Sequence, residues 1–148
     1  MAVPITKRHI FGWKCEKILQ PILEKVLEEP IVKTANRFNN IDFRGAYWTV
    51  EVKSRPTVDE SGRNQDSKTY LSWLLPTCKE NVAKSLGDTG ELIIFYFWQG
   101  DNTLWYCKYD EALFSKFQRD VPVFSNQEHW WIPREHFTQV KTKIPKIE

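Results

Sequence analysis

The sequence lacks the features that define several large classes of protein. Its three cysteines, Cys15, Cys78 and Cys107, are far apart and form no CxxC pair. Their odd number argues against a disulfide framework and for a reducing compartment. The three histidines show no zinc-ligand spacing with these cysteines, so a structural zinc site is not expected. The chain also has no internal repeat and no low-complexity tract.

Long apolar runs and a strong net charge are missing too. No stretch approaches the ~20 apolar residues of a membrane span, and the start, MAVPITKRHIFGWK, lacks the apolar core of a signal peptide. We therefore expect a cytoplasmic protein with no membrane partner, associated with the nucleoid if its host is bacterial or viral. A net charge of only +2 argues against a histone-like electrostatic binder. Residues 1–55 nevertheless hold ten Lys and Arg against six Asp and Glu, an excess that suits a polyanionic substrate.

Hydrophobic periodicity predicts one domain over residues 1–148. Residues 13–29 have the spacing of an amphipathic helix that kinks or restarts at Pro21. The segments YWTVEVKS, ELIIFYFW and TLWYCKY are strand candidates, with a helix at 76–87 between the first two and a short helix, DEALFSKF, after the third. Pro76 is expected in the first turn of the 76–87 helix and Gly87 at its end. This order predicts an α/β (α+β) fold with a single mixed sheet flanked by helices, followed by a loose basic tail at about 141–148.

Aromatic residues form 14% of the chain and include seven Trp. Large rings fill a small core efficiently, and we expect most of them to do so, including the Trp130-Trp131 pair as a packed corner. The alternative is that some rings stack on bases, as in single-strand binders.

Asp42, Glu51 and Lys53 form the combination that indicates chemistry. Glu51 and Lys53 are two apart on an alternating strand, so both point away from its apolar face and are expected to reach a cleft. A turn centred near residues 46–47 sets Asp42 opposite Glu51, with the Cβ atoms about 4.5–5.5 Å apart. Two carboxylates at that distance repel each other unless a cation lies between them, and Mg²⁺ prefers such oxygen ligands. A metal-activated water and a nearby lysine are the parts that phosphodiester hydrolysis needs.

The stretch IDFRGAYWTVEVK, residues 41–53, resembles the PD-(D/E)xK nuclease superfamily, which includes many restriction enzymes, phage exonucleases and Holliday-junction resolvases. Asp42 stands for the aspartate of the motif, and Glu51-Val52-Lys53 for its E-x-K. Ile41 departs from the pattern, because a proline usually precedes the aspartate. The order of predicted elements extends the resemblance to residues 13–98.

The resemblance implies a restriction-endonuclease-like αβββαβ core and a Mg²⁺- or Mn²⁺-dependent enzyme that hydrolyses DNA, including branched DNA. It implies metal ligation by Asp42, Glu51 and the backbone carbonyl of Val52. Many members add a glutamate from the first helix, for which Glu16 is the first choice and Glu24 the alternative. Many are dimers, so a homodimer is one expected state.

Basic residues flanking the motif are candidates for contact with nucleic acid. They are Arg37, Arg44, Arg55 and Lys68. Three functions stay open, in decreasing order of preference: a nuclease acting on DNA rather than RNA, an accessory or binding protein that keeps the nuclease fold, and an aromatic-rich single-strand binder. The sequence leaves endonuclease and exonuclease action undistinguished.

Overall fold

The computed structural model describes residues 6–34 and 41–148. The helices are α1 (Lys7–Leu27), α2 (Lys79–Leu86) and α3 (Glu111–Phe114), with a short 3-10 turn at Arg134–His136. The strands are β1 (Ile31–Lys33), β2 (Phe43–Gly45), β3 (Trp48–Arg55), β4 (Ser72–Pro76), β5 (Glu91–Trp98), β6 (Thr103–Lys108), β7 (Gln118–Asp120), β8 (His129–Pro133) and β9 (Thr138–Gln139). The fold is thus α+β with a mixed sheet, which agrees with the predicted fold class.

The helix α1 begins six residues earlier than its periodicity indicates. A capping box between Thr6 and His9 supplies hydrogen bonds to the free backbone amides of the first turn. Pro21 lies inside one uninterrupted helix, so no second helix begins there. The predicted apolar face is buried on both sides of the proline, and this burial offsets the one backbone hydrogen bond that proline removes. The buried apolar side chains are Cys15, Leu19, Ile22, Leu23 and Leu27.

The larger sheet has six strands in the order β1-β2-β3-β5-β6-β9. Its centre is the parallel pair of β3 and β5, aligned over eight residues from Trp48 opposite Glu91 to Arg55 opposite Trp98. All other pairs in this sheet are antiparallel. The predictions of a central apolar strand at 91–98 and of its hairpin with β6 are confirmed.

The prediction of a single sheet is wrong, because β4, β8 and β7 form a separate antiparallel sheet of three strands. Pro76 ends β4 and pairs with His129, so it does not begin α2, which follows Cys78. Gly87 does end α2, with a positive φ of 54° that glycine adopts without strain.

Two cores lie on opposite faces of the six-stranded sheet, since neighbouring residues of β5 alternate between them. The face toward α1 is largely aliphatic. The opposite face packs against the three-stranded sheet and is rich in rings; Trp73 and Phe137, for example, have centroids 4.5 Å apart. Trp73, Trp98 and Trp130 are at most 2% exposed. These tryptophans fill the core, as expected, and offer no surface for stacking on bases.

The prediction of a loose tail is wrong for its apolar residues. Ile144 and Ile147 are 7% and 2% exposed and belong to the aliphatic core. The side-chain amides of Gln99 and Asn102 donate hydrogen bonds to the carbonyls of Ile147 and Ile144. Among the described residues, no helix has the length and apolarity to cross a bilayer, and the three cysteines are free.

Candidate active site

The strand pair β2–β3 has the register that the sequence predicts. Phe43 lies opposite Val50 and Arg44 opposite Thr49, which brings Asp42 next to Glu51 at the following position. The backbone amide of Asp42 still donates to the carbonyl of Val50 at 2.9 Å. One residue on, the Asp42 carboxylate oxygen Oδ2 replaces the backbone as acceptor, taking the amide of Val52 at 2.7 Å. Asp42 therefore ends the pairing of the two strands with its side chain.

Glu51 and Lys53 share one face of β3, but this face is not open. Glu51 is only 4% exposed, since β3 is an inner strand covered on both faces. This corrects the expectation that the alternation of β3 opens Glu51 onto a cleft. Its Oε1 lies 3.7 Å from the Lys53 ammonium, and its Oε2 lies 3.2 Å from that of Lys79. The Oε2 atom is buried, so the nearby Lys79 ammonium is the cation that compensates its charge.

The choice between Glu16 and Glu24 is resolved by geometry. Glu16 is 7% exposed and shares the Lys33 ammonium with Asp42. The ammonium lies 2.5 Å from Glu16 Oε2 and 3.6 Å from Asp42 Oδ1. Glu24 instead accepts the backbone amide of Ile31 at 2.9 Å, which fixes the start of β1. The helix α1 thus brings Glu16, and not Glu24, to Asp42.

Burial and mutual repulsion shift the ionisation of this group. Burial, and then the nearby Asp42 carboxylate, raise the pKa of Glu16 to about 8 against the opposing effect of Lys33. The same two causes raise the pKa of Glu51 to about 7, opposed by Lys53 and Lys79. Burial lowers the pKa of Lys53 from its ordinary value. Displaced pKa values of this kind are typical of functional sites.

Two lysines of this site have no role in the sequence prediction. Lys33 comes from β1 and Lys79 from the first turn of α2, and each meets a carboxylate that is distant along the chain. No pattern in the sequence predicts that Lys33 contacts Glu16 and Asp42. A weak indication exists for Lys79. A cation in the first turn of a helix interacts unfavourably with the helix dipole, so an acidic partner elsewhere in the chain is expected.

The basic residues predicted to contact nucleic acid differ in their surroundings. Arg44 and Lys68 are exposed, whereas Arg55 is half-buried and its Nε and Nη2 donate to the Tyr96 hydroxyl at 3.2 and 3.0 Å. Arg37 lies outside the described residues. His129 was not predicted to lie near the site, but Lys53 and Arg55 are close enough to assist burial in lowering its pKa.

The donor atoms of the site suit a hard divalent cation. Glu16, Asp42 and Glu51 offer carboxylate oxygens, and such ligands select Mg²⁺ or Mn²⁺ over softer metals. Within ranges 6–34 and 41–148, however, no three acidic, histidine or cysteine side chains already converge in a metal-binding arrangement. Lysine ammonium groups lie among the carboxylates instead, so a metal requires local rearrangement of these side chains.

Comparisons with protein-family models, with curated proteins and with solved structures found no match to this chain. The functional assignment therefore rests on the motif and on the geometry of the site.

Proposed function

We propose that this chain is a Mg²⁺- or Mn²⁺-dependent deoxyribonuclease that hydrolyses phosphodiester bonds. The observation that carries the proposal is that Glu16 and Asp42 share one cation, Lys33, while the register of β2 and β3 sets Asp42 beside Glu51. Glu16 comes from α1, Asp42 directly precedes β2 and Glu51 belongs to β3, and burial together with the Asp42 charge raises the pKa of Glu16 and of Glu51. Burying ionisable groups costs free energy even where lysines pair with them, and such groups are frequent at functional sites, which supports a functional role.

The fold is compatible with a restriction-endonuclease-like core. Along the chain, α1 is followed by β1, β2 and β3, and then by α2 and β5. In the sheet, β1, β2 and β3 are neighbours and β5 adds to β3 in parallel. The strand β4, which interrupts this order, belongs to the other sheet. On this proposal the three-stranded sheet is an addition to the nuclease core.

The site residues divide the chemistry as follows. Asp42, Glu51 and the Val52 carbonyl would hold the metal, with Glu16 as a further ligand. When bound, the metal supplies a Lewis acid and lowers the pKa of a water. Lys53 lies beside Glu51, where its ammonium offsets negative charge that develops on the phosphate.

The proposed substrate is DNA, with a structured or branched form as one candidate. Arg44 and Lys68 are exposed and can reach phosphates without a change of fold. Arg55 is held by Tyr96 at the end of the strand that carries Glu51, so its guanidinium is preorganised for a phosphate close to the site. A homodimer would present one active site to each of two DNA strands. This part of the proposal is made by analogy with the fold class.

The test is cleavage of a labelled panel of single strand, duplex, flap and four-way junction in Mg²⁺, Mn²⁺ or EDTA. Wild type is compared with Glu51→Gln and Lys53→Ala, and Glu111→Gln serves as a control because Glu111 is 74% exposed. We expect metal-dependent cutting by wild type and by the control, and loss of cutting in both site variants.

Two results would contradict the proposal. One is cutting that persists undiminished in Glu51→Gln, which would identify a contaminating nuclease. The other is binding without cutting, unaffected by EDTA and by both substitutions, which would assign the protein to the binding and accessory class.

A further inference from the structure

Each carboxylate of the site faces a lysine ammonium of the same chain. Within the described residues, Glu16, Asp42 and Glu51 carry the same formal charge in total as three lysines, with opposite sign. These lysines are Lys33, Lys53 and Lys79. A divalent cation that enters this group therefore meets positive charge already in place, and like charges at such distances repel strongly where solvent is excluded.

The three lysines are not equally easy to displace. The Lys79 side chain is 10% exposed and that of Lys53 is 26% exposed, whereas that of Lys33 is 44% exposed. Moving a half-exposed ammonium into water costs little, because its hydration is largely restored. Lys33 also belongs to β1, an edge strand of the sheet, so its side chain can turn outward without crossing the core.

Lys33 lies at the position that a metal shared by Glu16 and Asp42 would take. Its ammonium is 2.5 Å from one carboxylate and 3.6 Å from the other, distances at which both oxygens face the same cation. It also lies 5.3 Å from the centroid of the Phe43 ring, a favourable contact that helps to hold it there. Since the lysine is tethered, it competes at a high effective concentration.

We propose that Lys33 is a built-in counter-ion that competes with the divalent metal for Glu16 and Asp42. The inference rests on the proposed function, since it concerns the same metal. Lys33 lies between Glu16 and Asp42 and thereby weakens metal binding. When the metal binds, the Lys33 ammonium moves to solvent.

The test measures Mn²⁺ affinity by calorimetry in the absence of nucleic acid. For Lys33→Gln we expect binding about tenfold tighter than in wild type, because removal of a nearby like charge favours the cation. Lys33→Arg keeps the charge and is expected to bind Mn²⁺ no more tightly than wild type. Lys116→Gln makes the same charge change at an exposed residue and should leave the affinity unchanged.

A second measurement uses the wild-type chain and does not depend on the folding of a variant. Acylation of lysines by an amine-reactive ester is followed by mass spectrometry with and without Mn²⁺. We expect Mn²⁺ to raise the labelling rate of Lys33 several-fold, while that of Lys116 stays constant. An unchanged or lower rate at Lys33 would mean that the ammonium is not displaced, and would overturn the inference.

The outcomes separate the two proposals. If wild type binds Mn²⁺ and Lys33→Gln binds it equally or more weakly, the competition by Lys33 is refuted and the nuclease proposal stands. If neither protein binds Mn²⁺, the metal-dependent function itself is refuted, and the role of Lys33 with it.

Discussion

The two central strands of the large sheet, β3 and β5, are both inner strands, but they are opposite in chemistry. They pair in parallel over eight residues, and β5 is apolar from Leu92 to Trp98. At the corresponding positions β3 carries Glu51 opposite Ile94 and Lys53 opposite Tyr96. The apolar strand gains stability from its burial, whereas β3 pays for buried charge. On the proposed function, β3 supplies side chains to the active site, whereas β5 supports the fold.

The largest expected effect is a loss of DNA cleavage caused by a substitution on β3. Glu51→Gln keeps the size of the side chain but removes its charge, so it should lower the rate of DNA cleavage by about 10³-fold, the scale found when a key electrostatic group is lost. Single-turnover rates at saturating Mg²⁺ measure this loss. Some stability should be lost as well, because the Lys79 side chain, which is 10% exposed, loses the Glu51 carboxylate, so the rate is compared per folded molecule. A large loss of stability with a normal rate per folded molecule would contradict the comparison.

The second largest expected effect is a loss of stability caused by a substitution on β5. Ile94→Ala on β5 leaves a cavity beside Glu51 in the aromatic core and should lower the free energy of unfolding by about 2–5 kcal/mol. Denaturant titration measures this change. We expect metal affinity per folded molecule to remain within a few-fold of wild type, since Ile94 offers no ligand atom. A selective loss of metal binding with normal stability would show that β5 also serves the site.

The pH dependence of stability gives a smaller effect. Because the folded pKa values of Glu16 and Glu51 are raised to about 8 and about 7, the unfolded chain releases these protons first as pH rises. Their contribution to stability is therefore fully present at low pH and is lost as pH rises through the folded values. Between about pH 5 and pH 8 the metal-free protein should lose at least ~1 kcal/mol.

Thermal melts of wild type and Glu16→Gln across this range test the assignment. The variant should lose less stability with rising pH than wild type, and saturating Mg²⁺ should flatten the wild-type curve because it stabilises the ionised carboxylates. Identical slopes for the two proteins would exclude Glu16 as a source of the effect.

The smallest expected effect comes from the one polar contact of β5 with the basic residues near the site. The Tyr96 hydroxyl accepts from Arg55 and donates to the carbonyl of Leu74 at 3.1 Å. Tyr96→Phe should lower stability by about 1 kcal/mol and raise the KM for DNA with little change in kcat, because Arg55 loses its support. Steady-state kinetics test this split, and a fall in kcat alone would argue against a role of Arg55 in binding.

Contacts between residues close in sequence were predicted correctly, whereas several contacts between distant segments of the chain were not. The register of β2 and β3 follows from a short turn and from alternation, so the sequence alone is enough to match Asp42 with Glu51. The apolar run of β5 likewise needs no partner to be recognised. The second sheet could not be predicted, since β4 pairs with β8, whose segment HWWIP lacks a clean alternation and lies far along the chain.

The candidate site shows the same limit. The placement of Asp42 beside Glu51 was predicted. The contacts of Lys33 and Lys79 were not, because they depend on how β1 and α2 pack against the motif. The prediction for the tail was wrong for a related reason. Ile144 stands between a lysine and a proline, and Ile147 between a lysine and a glutamate. The polar neighbours give no periodic pattern, and the two isoleucines gain a structural role only by packing into the aliphatic core.

The carboxylate of Asp42 is divided between two tasks. Its Oδ2 accepts the Val52 amide, while its Oδ1 faces Lys33. A cation on Asp42 would therefore be held through one oxygen only, in a monodentate manner. Charge placed on that oxygen is transmitted through the carboxylate to the Val52 N–H, so the amide resonance of this single residue is a direct spectroscopic reporter of whether lysine or metal occupies the site.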